Sequence, residues 1–193
     1  MIDPITLEVL REAFVSIVRE MRVTLVRTAY SSILYEGEDF SCVLMDGHAQ
    51  IVAMSKGQDH PLHIVPIGWS VKAVREKFGD DLHPGDIFLH NDPYTGGTHL
   101  NDVAMIYPLF APGADGPPPA ASTPPPPGRD DDLFIFPVVR AHWGDVGGMS
   151  PGSLSGRATE IFQEGSRIPP IKIFDRRAAL RAARPRVRVT AGR

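Results

Sequence analysis

The first thirty residues carry apolar side chains at steps of three and four, which is the spacing of one face of an α-helix. This series comprises Leu7, Leu10, Phe14, Ile17, Met21 and Leu25. Asp3 can cap the N-terminus of such a helix, and Pro4 can occupy its first turn. The pattern therefore predicts a long amphipathic helix that ends near Tyr30.

Apolar residues farther along the chain occur in short runs that are typical of β-strands. The segment FSCVLMDGHAQIVAM places Asp46-Gly47 between two β-prone runs, which predicts an antiparallel hairpin. Three further strand candidates are DIFLHND, VAMIYPLF and LFIFPVVRAHW, and Pro137 is expected to interrupt the last of them.

Residues 64–78 predict a second amphipathic helix, which we expect to begin after Pro66. Its candidate apolar residues are Trp69, Val71, Val74 and Phe78. Such a helix would pack on the sheet of the hairpin. The predicted class is α+β, with the long N-terminal helix and a mixed or antiparallel sheet.

Residues 112–132 hold eight of the 19 prolines and almost nothing apolar enough to bury. This composition predicts a disordered or polyproline-like insertion at the surface. Recognition of this insertion by a partner is an alternative, but an insertion between paired strands adds little loop entropy and needs no function. We expect one domain over residues 1–175, followed by an arginine-rich tail over residues 176–193.

Composition narrows the classes of function. Cys42 is the only cysteine, so a metal site would have to use His, Asp and Glu. No run approaches the roughly 18 apolar residues of a membrane helix, and the N-terminus does not resemble a signal peptide, so a soluble cytoplasmic protein is expected. The last 18 residues hold seven arginines and no acid, which leaves residues 1–175 with a formal charge of −10. We therefore do not expect this acidic part to bind nucleic acid.

The candidate chemistry lies around the segment NDPYTGGTHLNDV. His99 and Asp102 are three residues apart at a loop-to-strand junction, where both can bind one cation. His142 ends the strand LFIFPVVRAHW, and antiparallel pairing with VAMIYPLF would place it beside them. These three residues predict a site for Mn, Zn or Fe with open positions. The alternative is that His99 and Asp102 only cap and hydrogen-bond the loop backbone.

Other residues flank this ligand set. Asp92 and Asp145 are candidate catalytic carboxylates that could orient the histidines or join the ligands. The pairs Gly96-Gly97 and Gly147-Gly148 are candidates for substrate binding through backbone N–H groups, although tight turns are the simpler reason for them. His63, which lies three residues after His60 in DHPLH, is a candidate residue of the substrate pocket, with helix capping or packing as the alternative.

Five segments resemble the hydantoinase B/5-oxoprolinase family, which includes N-methylhydantoinase B subunits and acetone carboxylase alpha subunits. They are DPITLEVLREAF, EGEDFSCVLMD, NDPYTGGTHLNDV, RAHWGDVGGMSPGS and ATEIFQEGSRIPPIKIF. The resemblance runs in order from Asp3 to about Asp175. It covers only the N-terminal part of a larger fold.

The resemblance implies an ATP-dependent hydrolase of cyclic amides such as hydantoins or 5-oxoproline, or a ketone carboxylase alpha-type subunit. In this family an A-type partner binds ATP and phosphorylates the substrate oxygen, which agrees with the lack of a GxxxxGK[ST] motif here. The metal positions of the carboxylase relatives match His99, Asp102 and His142. The expected assembly is a hetero-oligomer in which a divalent metal supplies a nucleophilic hydroxide to the activated ring.

Two departures from the family pattern favour a truncated or frame-shifted chain. The proline-rich insertion is longer than expected, and the pattern stops after IKIFD, where the arginine-rich tail begins. A non-catalytic module that still binds its A-type partner is therefore the alternative function.

Overall fold

The structure is a computed structural model that describes residues 2–55, 57, 59–111, 133–176 and 178–179. Its helices are α1 (Pro4–Thr28), α2 (Ser32–Tyr35), α3 (Pro61–Phe78) and α4 (Ile161–Glu164). Its strands are β1 (Phe40–Met45), β2 (Ile51–Met54), β3 (Ile87–His90), β4 (Asp102–Ile106), β5 (Leu109–Phe110), β6 (Leu133–His142), β7 (Ile171–Asp175) and β8 (Ala178–Ala179). The predicted α+β class is confirmed.

The described strands form an eight-stranded sheet in the order β2-β1-β6-β4-β3-β7-β8, with β5 paired to β6 outside this path. All of these pairings are antiparallel. The predicted β1–β2 hairpin is confirmed, and Asp46 Oδ1 accepts the N–H groups of His48 and Gln50 in its turn, each at 2.8 Å. The long strand β6 lies between β1 and β4, so distant parts of the chain meet along it.

Helices cover both faces of the sheet. Along β1, Phe40, Cys42 and Leu44 pack toward α1, whereas Val43 and Met45 pack toward α3. A strand that is covered on both faces is apolar almost throughout, and all six residues of β1 are buried. The thiol of Cys42 is buried, and burial raises its pKa to about 12.

Helix α1 has the predicted cap but only part of the predicted apolar face. Asp3 Oδ1 accepts the N–H groups of the first turn, and Phe14, Met21 and Leu25 pack against the sheet. The prediction is wrong for Leu7, Leu10 and Ile17, which are 59%, 43% and 45% exposed. For Leu7 and Leu10 the reason is that residues 4–13 are exposed all round, so periodicity there has no described element to pack against. Around Ile17 the helix does pack, but it buries Val15 and Val18 instead.

Helix α3 begins six residues earlier than the expected start after Pro66. Pro61 occupies its first turn, where the missing N–H needs no partner, and Pro66 lies inside the helix. Burial of Ile67 and Val71 against the sheet holds the helix through this proline. Trp69 was predicted to face the core, but it is 58% exposed.

Strand β6 continues through Pro137, so the predicted interruption is wrong. Pro137 lies where β4 gives way to β5, and its carbonyl accepts the N–H of Tyr107 at 3.1 Å.

The proline-rich insertion at residues 112–132 lies outside the described residues. Of the arginine-rich tail, Ala178–Ala179 pair with β7, and Arg177 and residues 180–193 lie outside the described part. Among the described helices, none has the length and apolarity to cross a membrane.

Candidate metal centre

The register of three adjacent strands places polar side chains in a row at one end of the sheet. Asp102 in β4 lies opposite His142 in β6, which confirms the pairing expected from the sequence. Asp39 directly precedes β1, and its carbonyl accepts the N–H of His142 at 3.0 Å. Because side chains alternate along a strand, Asp39, Asp102 and His142 all lie on the face that α3 covers.

The three predicted ligands come together. His99 Nε2 lies 2.7 Å from Asp102 Oδ1, and His142 Nδ1 lies 3.3 Å from the same oxygen. The rings of His99 and His142 are 5.0 Å apart between centroids. One donor atom from each residue lies within 4.8 Å of the others, so the group could hold a metal ion. The convergence is confirmed, and metal binding itself stays a prediction.

Asp102 is held in its ionised form although it is only 4% exposed. Burial would raise its pKa, but the imidazole of His63, 3.5 Å from Oδ2, and the hydrogen bonds from His99 and Thr98 outweigh burial and keep the pKa well below its usual value. In return, the hydrogen bond to Asp102 raises the pKa of His99, and burial opposes that rise. The site therefore contains a buried carboxylate that stays charged at neutral pH.

Two further residues complete the cluster. His63 lies in the first turn of α3, and Asp39 lies directly before β1. His63 is 2% exposed, and its Nε2 lies 3.5 Å from both Asp39 Oδ1 and Asp102 Oδ2. Asp39 Oδ2 lies 3.8 Å from His142 Nδ1. His63, predicted from the sequence as a pocket residue, thus joins the ligand cluster. Asp39 was missed, because its position depends on β1 lying beside β6.

Beneath the cluster lies a buried positive charge that sequence reasoning also missed. Arg140 is fully buried, and its three guanidinium nitrogens have no hydrogen-bond partner among the described residues. Burial lowers its pKa to about 10, against the attraction of Asp102. Burial, and then the charge of Arg140, lowers the pKa of His90 to about 4, so His90 is neutral at neutral pH. Arg140 thereby compensates part of the negative charge of Asp102.

Asp92, a predicted catalytic carboxylate, lies in the loop that precedes His99. Its Oδ1 accepts the N–H of Tyr94 at 3.1 Å, and its Oδ2 lies 3.4 Å from Nε of Arg167. These contacts fix the turn Pro93–Thr95 and are not with the three candidate ligands. A catalytic role for Asp92 stays a prediction.

Asp145 organises the loop that follows His142. Its Oδ1 accepts the Ser153 hydroxyl at 2.6 Å and the Gly147 N–H at 2.7 Å, and its Oδ2 accepts the Gly152 N–H at 3.1 Å. The hydrogen bond from Ser153 is the main reason why the pKa of Asp145 is lowered. Asp145 is therefore an ionised carboxylate at the surface, and its catalytic role also stays a prediction.

The glycine pairs serve the turns and the close approach of backbone segments. The N–H of Gly97 donates to the Asp92 carbonyl at 2.8 Å, and that of Gly148 donates to Ser153 Oγ at 3.0 Å. Gly96 has a φ of +109°, which an L side chain rarely adopts. These contacts agree with the turn alternative. Binding of a substrate by Gly96, Gly97, Gly147 and Gly148 stays a prediction, and the N–H groups of the last three would have to exchange their present acceptors for it.

A cavity of about 380 Å³ opens beside His99. Its lining includes Asn101, Ser153 and Glu164, so polar groups from three separate segments of the chain meet there. Asn101 is held in place because its Nδ2 donates to the carbonyls of Trp143 and Gly152, at 2.8 and 3.2 Å. A cavity of this size with convergent polar groups is typical of sites for small ligands.

We expect Ser153→Ala to loosen the wall of this cavity. Ser153 Oγ accepts the N–H groups of Val146 and Gly148, and alanine would leave both without an acceptor. The expected loss in the free energy of unfolding is roughly 1–3 kcal/mol, measured by urea denaturation. The matched control is Ser155→Ala, because Ser155 Oγ accepts a single exposed N–H, from Arg157. Equal stability of the two variants would contradict the assigned role of Ser153.

Comparison with known proteins shows to which family the chain is related. The family model described as Hydantoinase B/oxoprolinase matches residues 3–190. The beta subunit of the caprolactamase from Pseudomonas jessenii is 35% identical over 173 residues, which cover 90% of this chain and 26% of that protein. The B subunit of the putative D-/L-hydantoinase from Pseudomonas sp. is 34% identical over 178 residues, covering 90% of this chain and 27% of that protein. The 5-oxoprolinase of Saccharomyces cerevisiae is 31% identical over 167 residues, covering 86% of this chain and 12% of that protein.

Two solved structures share the fold. The crystal structure of the ATP-dependent caprolactamase from Pseudomonas jessenii matches with a TM-score of 0.77 at 32% identity, covering 95% of this chain and 28% of that chain. Nucleotide-free acetone carboxylase matches with a TM-score of 0.76 at 21% identity, covering 93% of this chain and 21% of that chain. The chain thus spans about a quarter or less of each of these relatives. The extent of the family match and the shared fold show that the chain belongs to the hydantoinase B/oxoprolinase family.

Proposed function

We propose that the chain carries the metal-binding part of a B-type component in an ATP-dependent cyclic-amide hydrolase. The substrates would be small rings such as hydantoins or 5-oxoproline. The observation that carries this proposal is the convergence of His99 and His142 on one oxygen of Asp102, at 2.7 and 3.3 Å. The relatives named caprolactamase, hydantoinase and 5-oxoprolinase support the reaction class.

The residues present fit a divalent metal. Two imidazoles and one carboxylate form a donor set that suits Zn, Mn or Fe and leaves coordination positions open, as catalytic rather than structural sites do. Asp102 is ionised, as a ligand must be, and Thr98 Oγ1 fixes its orientation by donating to Oδ2 at 2.7 Å. His99, Asp102 and His142 would hold the ion, which when bound lowers the pKa of a coordinated water and polarises a nearby oxygen.

The chain's own residues have separate tasks in the proposed reaction. An amide carbonyl is a poor electrophile, and phosphorylation of its oxygen turns that oxygen into a leaving group. Water must then add to the carbonyl carbon, and the C–N bond of the ring must break as the ring nitrogen takes up a proton. A second water must hydrolyse the resulting acyl phosphate to carboxylate and phosphate. The cavity beside His99 would position the ring, and the buried Asn101 and Ser153 would keep its wall in place. Asp102, which stays ionised, would supply negative charge that favours release of a proton from the attacking water.

The activating phosphorylation would come from an A-type ATP-binding partner. The caprolactamase and hydantoinase relatives are named as beta and B subunits, which supports a partner of this kind. We infer a hetero-oligomer in which ATP binds to the partner and the divalent metal binds to this chain. We also propose the cytoplasm as its location, since ATP is consumed.

The test is co-expression of the chain with an A-type subunit of the family. The purified complex is analysed for bound metal and assayed for ATP-dependent opening of hydantoin and 5-oxoproline by chromatography. We expect ring opening that His142→Ala abolishes together with metal content. His48→Ala is the matched control, because His48 is an exposed turn residue.

Two outcomes would contradict the proposal. Ring opening that survives loss of the metal in His142→Ala would remove the metal from the mechanism. Co-purification with the A-type subunit without any ATP-dependent ring opening would instead support a non-catalytic module that binds this partner.

A further inference from the structure

We propose that the cluster binds two divalent cations, the second on Asp39, His60 and His63. This inference rests on the proposed function, because it adds a second ion to the same site. Asp39, His60 and His63 each offer one donor atom within 4.8 Å of the others. They lie at the start of β1 and the N-terminal end of α3, directly beside His99, Asp102 and His142.

The two carboxylates each face both groups of histidines. Asp102 directs Oδ1 to His99 and His142, and directs Oδ2 to His63 at 3.5 Å. Asp39 directs Oδ1 to His63 at 3.5 Å and Oδ2 toward His142 at 3.8 Å. A carboxylate with one oxygen on each side is the arrangement that can bridge two metal ions. Here two such carboxylates lie side by side.

The separations around His63 are those of ligands rather than of hydrogen-bond partners. A hydrogen bond from an imidazole N–H to a carboxylate oxygen spans about 2.7–3.2 Å. His63 Nε2 is 3.5 Å from Asp39 Oδ1 and from Asp102 Oδ2. Tetrahedral ligands at zinc bond lengths lie about 3.4 Å from one another. The distances from His63 Nε2 to the two carboxylate oxygens therefore match those between ligands of one ion.

Charge and access support the same assignment. His63 is 2% exposed, and its Nδ1 has no hydrogen-bond partner among the described residues. Two carboxylates converge on this imidazole, and the described cation that acts on Asp102 is the single charge of Arg140. A divalent ion would balance the remaining negative charge. The side chain of Asp39 is 36% exposed and His60 is exposed, so an ion can enter from solvent.

The second ion would serve the phosphate of the activated ring. Paired metal ions about 3.5–4 Å apart stabilise the attacking and the leaving oxygens of hydrolytic reactions. His99 lines the cavity that would hold the ring, whereas His60 is exposed at the outer edge of the cluster. We therefore assign the Asp39, His60 and His63 group to the phosphate oxygens of the intermediate. Its donor set suits Mn²⁺ or Zn²⁺.

Metal stoichiometry tests this assignment directly. The chain is stripped with a chelator, loaded with Mn²⁺, freed of unbound ion by gel filtration and analysed by plasma mass spectrometry. We expect two Mn²⁺ per chain in the parent and one in either His60→Ala or His99→Ala. The control His48→Ala, which removes an exposed histidine of the β1–β2 turn, should keep two. Circular dichroism verifies that each variant is folded.

Electron paramagnetic resonance of the parent adds a measurement that needs no variant. We expect an exchange-coupled Mn²⁺ spectrum at two equivalents, in place of the six-line spectrum of isolated ions. One Mn²⁺ per chain, lost in His99→Ala and kept in His60→Ala, would overturn the second site and leave the proposed function intact. Two coupled ions without ring opening in the A-type complex would overturn the function and support the second site. A parent that binds neither Mn²⁺ nor Zn²⁺ would overturn both.

Discussion

Replacing Asp102 by asparagine is expected to lower the metal affinity of the chain by more than about 100-fold and to abolish ring opening. Loss of a group that merely orients a ligand costs roughly 10–100-fold, and loss of a charged ligand should cost more. Asp102 contacts His99 and His142 through Oδ1, and it faces His63 through Oδ2. Asparagine keeps the shape but loses the charge and presents N–H donors to the site. Isothermal titration with Zn²⁺ or Mn²⁺ measures the change.

Asp92→Asn is the matched control for this substitution. Asp92 is also a buried carboxylate, 2% exposed, but its contacts are with Tyr94 and Arg167. We expect this variant to keep its metal. If it also loses ring opening, the sequence prediction of a catalytic Asp92 is supported. Unchanged metal affinity in Asp102→Asn would show that the three-residue site is wrongly assigned.

The pH dependence of the free energy of unfolding, compared between the parent chain and Asp102→Asn, measures the contribution of the charge of Asp102. The pKa of Asp102 is lower in the folded chain, so its ionised form stabilises the fold above the unfolded pKa of about 3.9. This stabilisation disappears as the pH falls below that value. The Asn variant lacks this contribution, so its free energy of unfolding should fall less steeply than that of the parent between about pH 5 and pH 2.

Gly97→Ala is expected to disrupt the loop that carries His99. A Cβ at this position would lie 2.3 Å from the carbonyl oxygen of Asn91 and 2.8 Å from the carbonyl carbon of Asp92, both backbone atoms. Asn91 cannot move away easily, because its buried side-chain amide is held by three hydrogen bonds. Nδ2 donates to the carbonyls of Leu100 and Ser166, and Oδ1 accepts the N–H of Ile168. We expect a loss of about 1–3 kcal/mol or more in the free energy of unfolding, together with weaker metal binding. Thermal melts and metal titration measure both.

Gly156→Ala is the control for added volume in a loop. A Cβ at Gly156 would meet no atom within 4 Å, so its effect on stability should stay within about 0.5 kcal/mol. Equal melting temperatures for Gly97→Ala and Gly156→Ala would show that the loop before His99 is not packed as described.

Local sequence signals predicted the elements whose interactions are short in range. The cap at Asp3 and the hairpin at Asp46-Gly47 depend on residues within a few positions, and both are confirmed. The same kind of reasoning failed for Trp69 and for the first half of α1. Periodicity shows which residues share a helix face, but it cannot show whether an element lies against that face.

The sequence by itself determined that His99, Asp102 and His142 converge, because His99 and Asp102 are local and one strand pairing places His142 opposite Asp102. Only the tertiary structure decided that this set has neighbours on two further sides. Asp39 lies beside these three residues because β1 pairs with β6. His63 lies beside them because α3 packs across the sheet. Both positions depend on contacts between segments that are far apart in sequence. Burial of the whole core decides which segments pack together, and no local sequence pattern reveals it. The possibility of a second ion therefore became visible only in the folded chain.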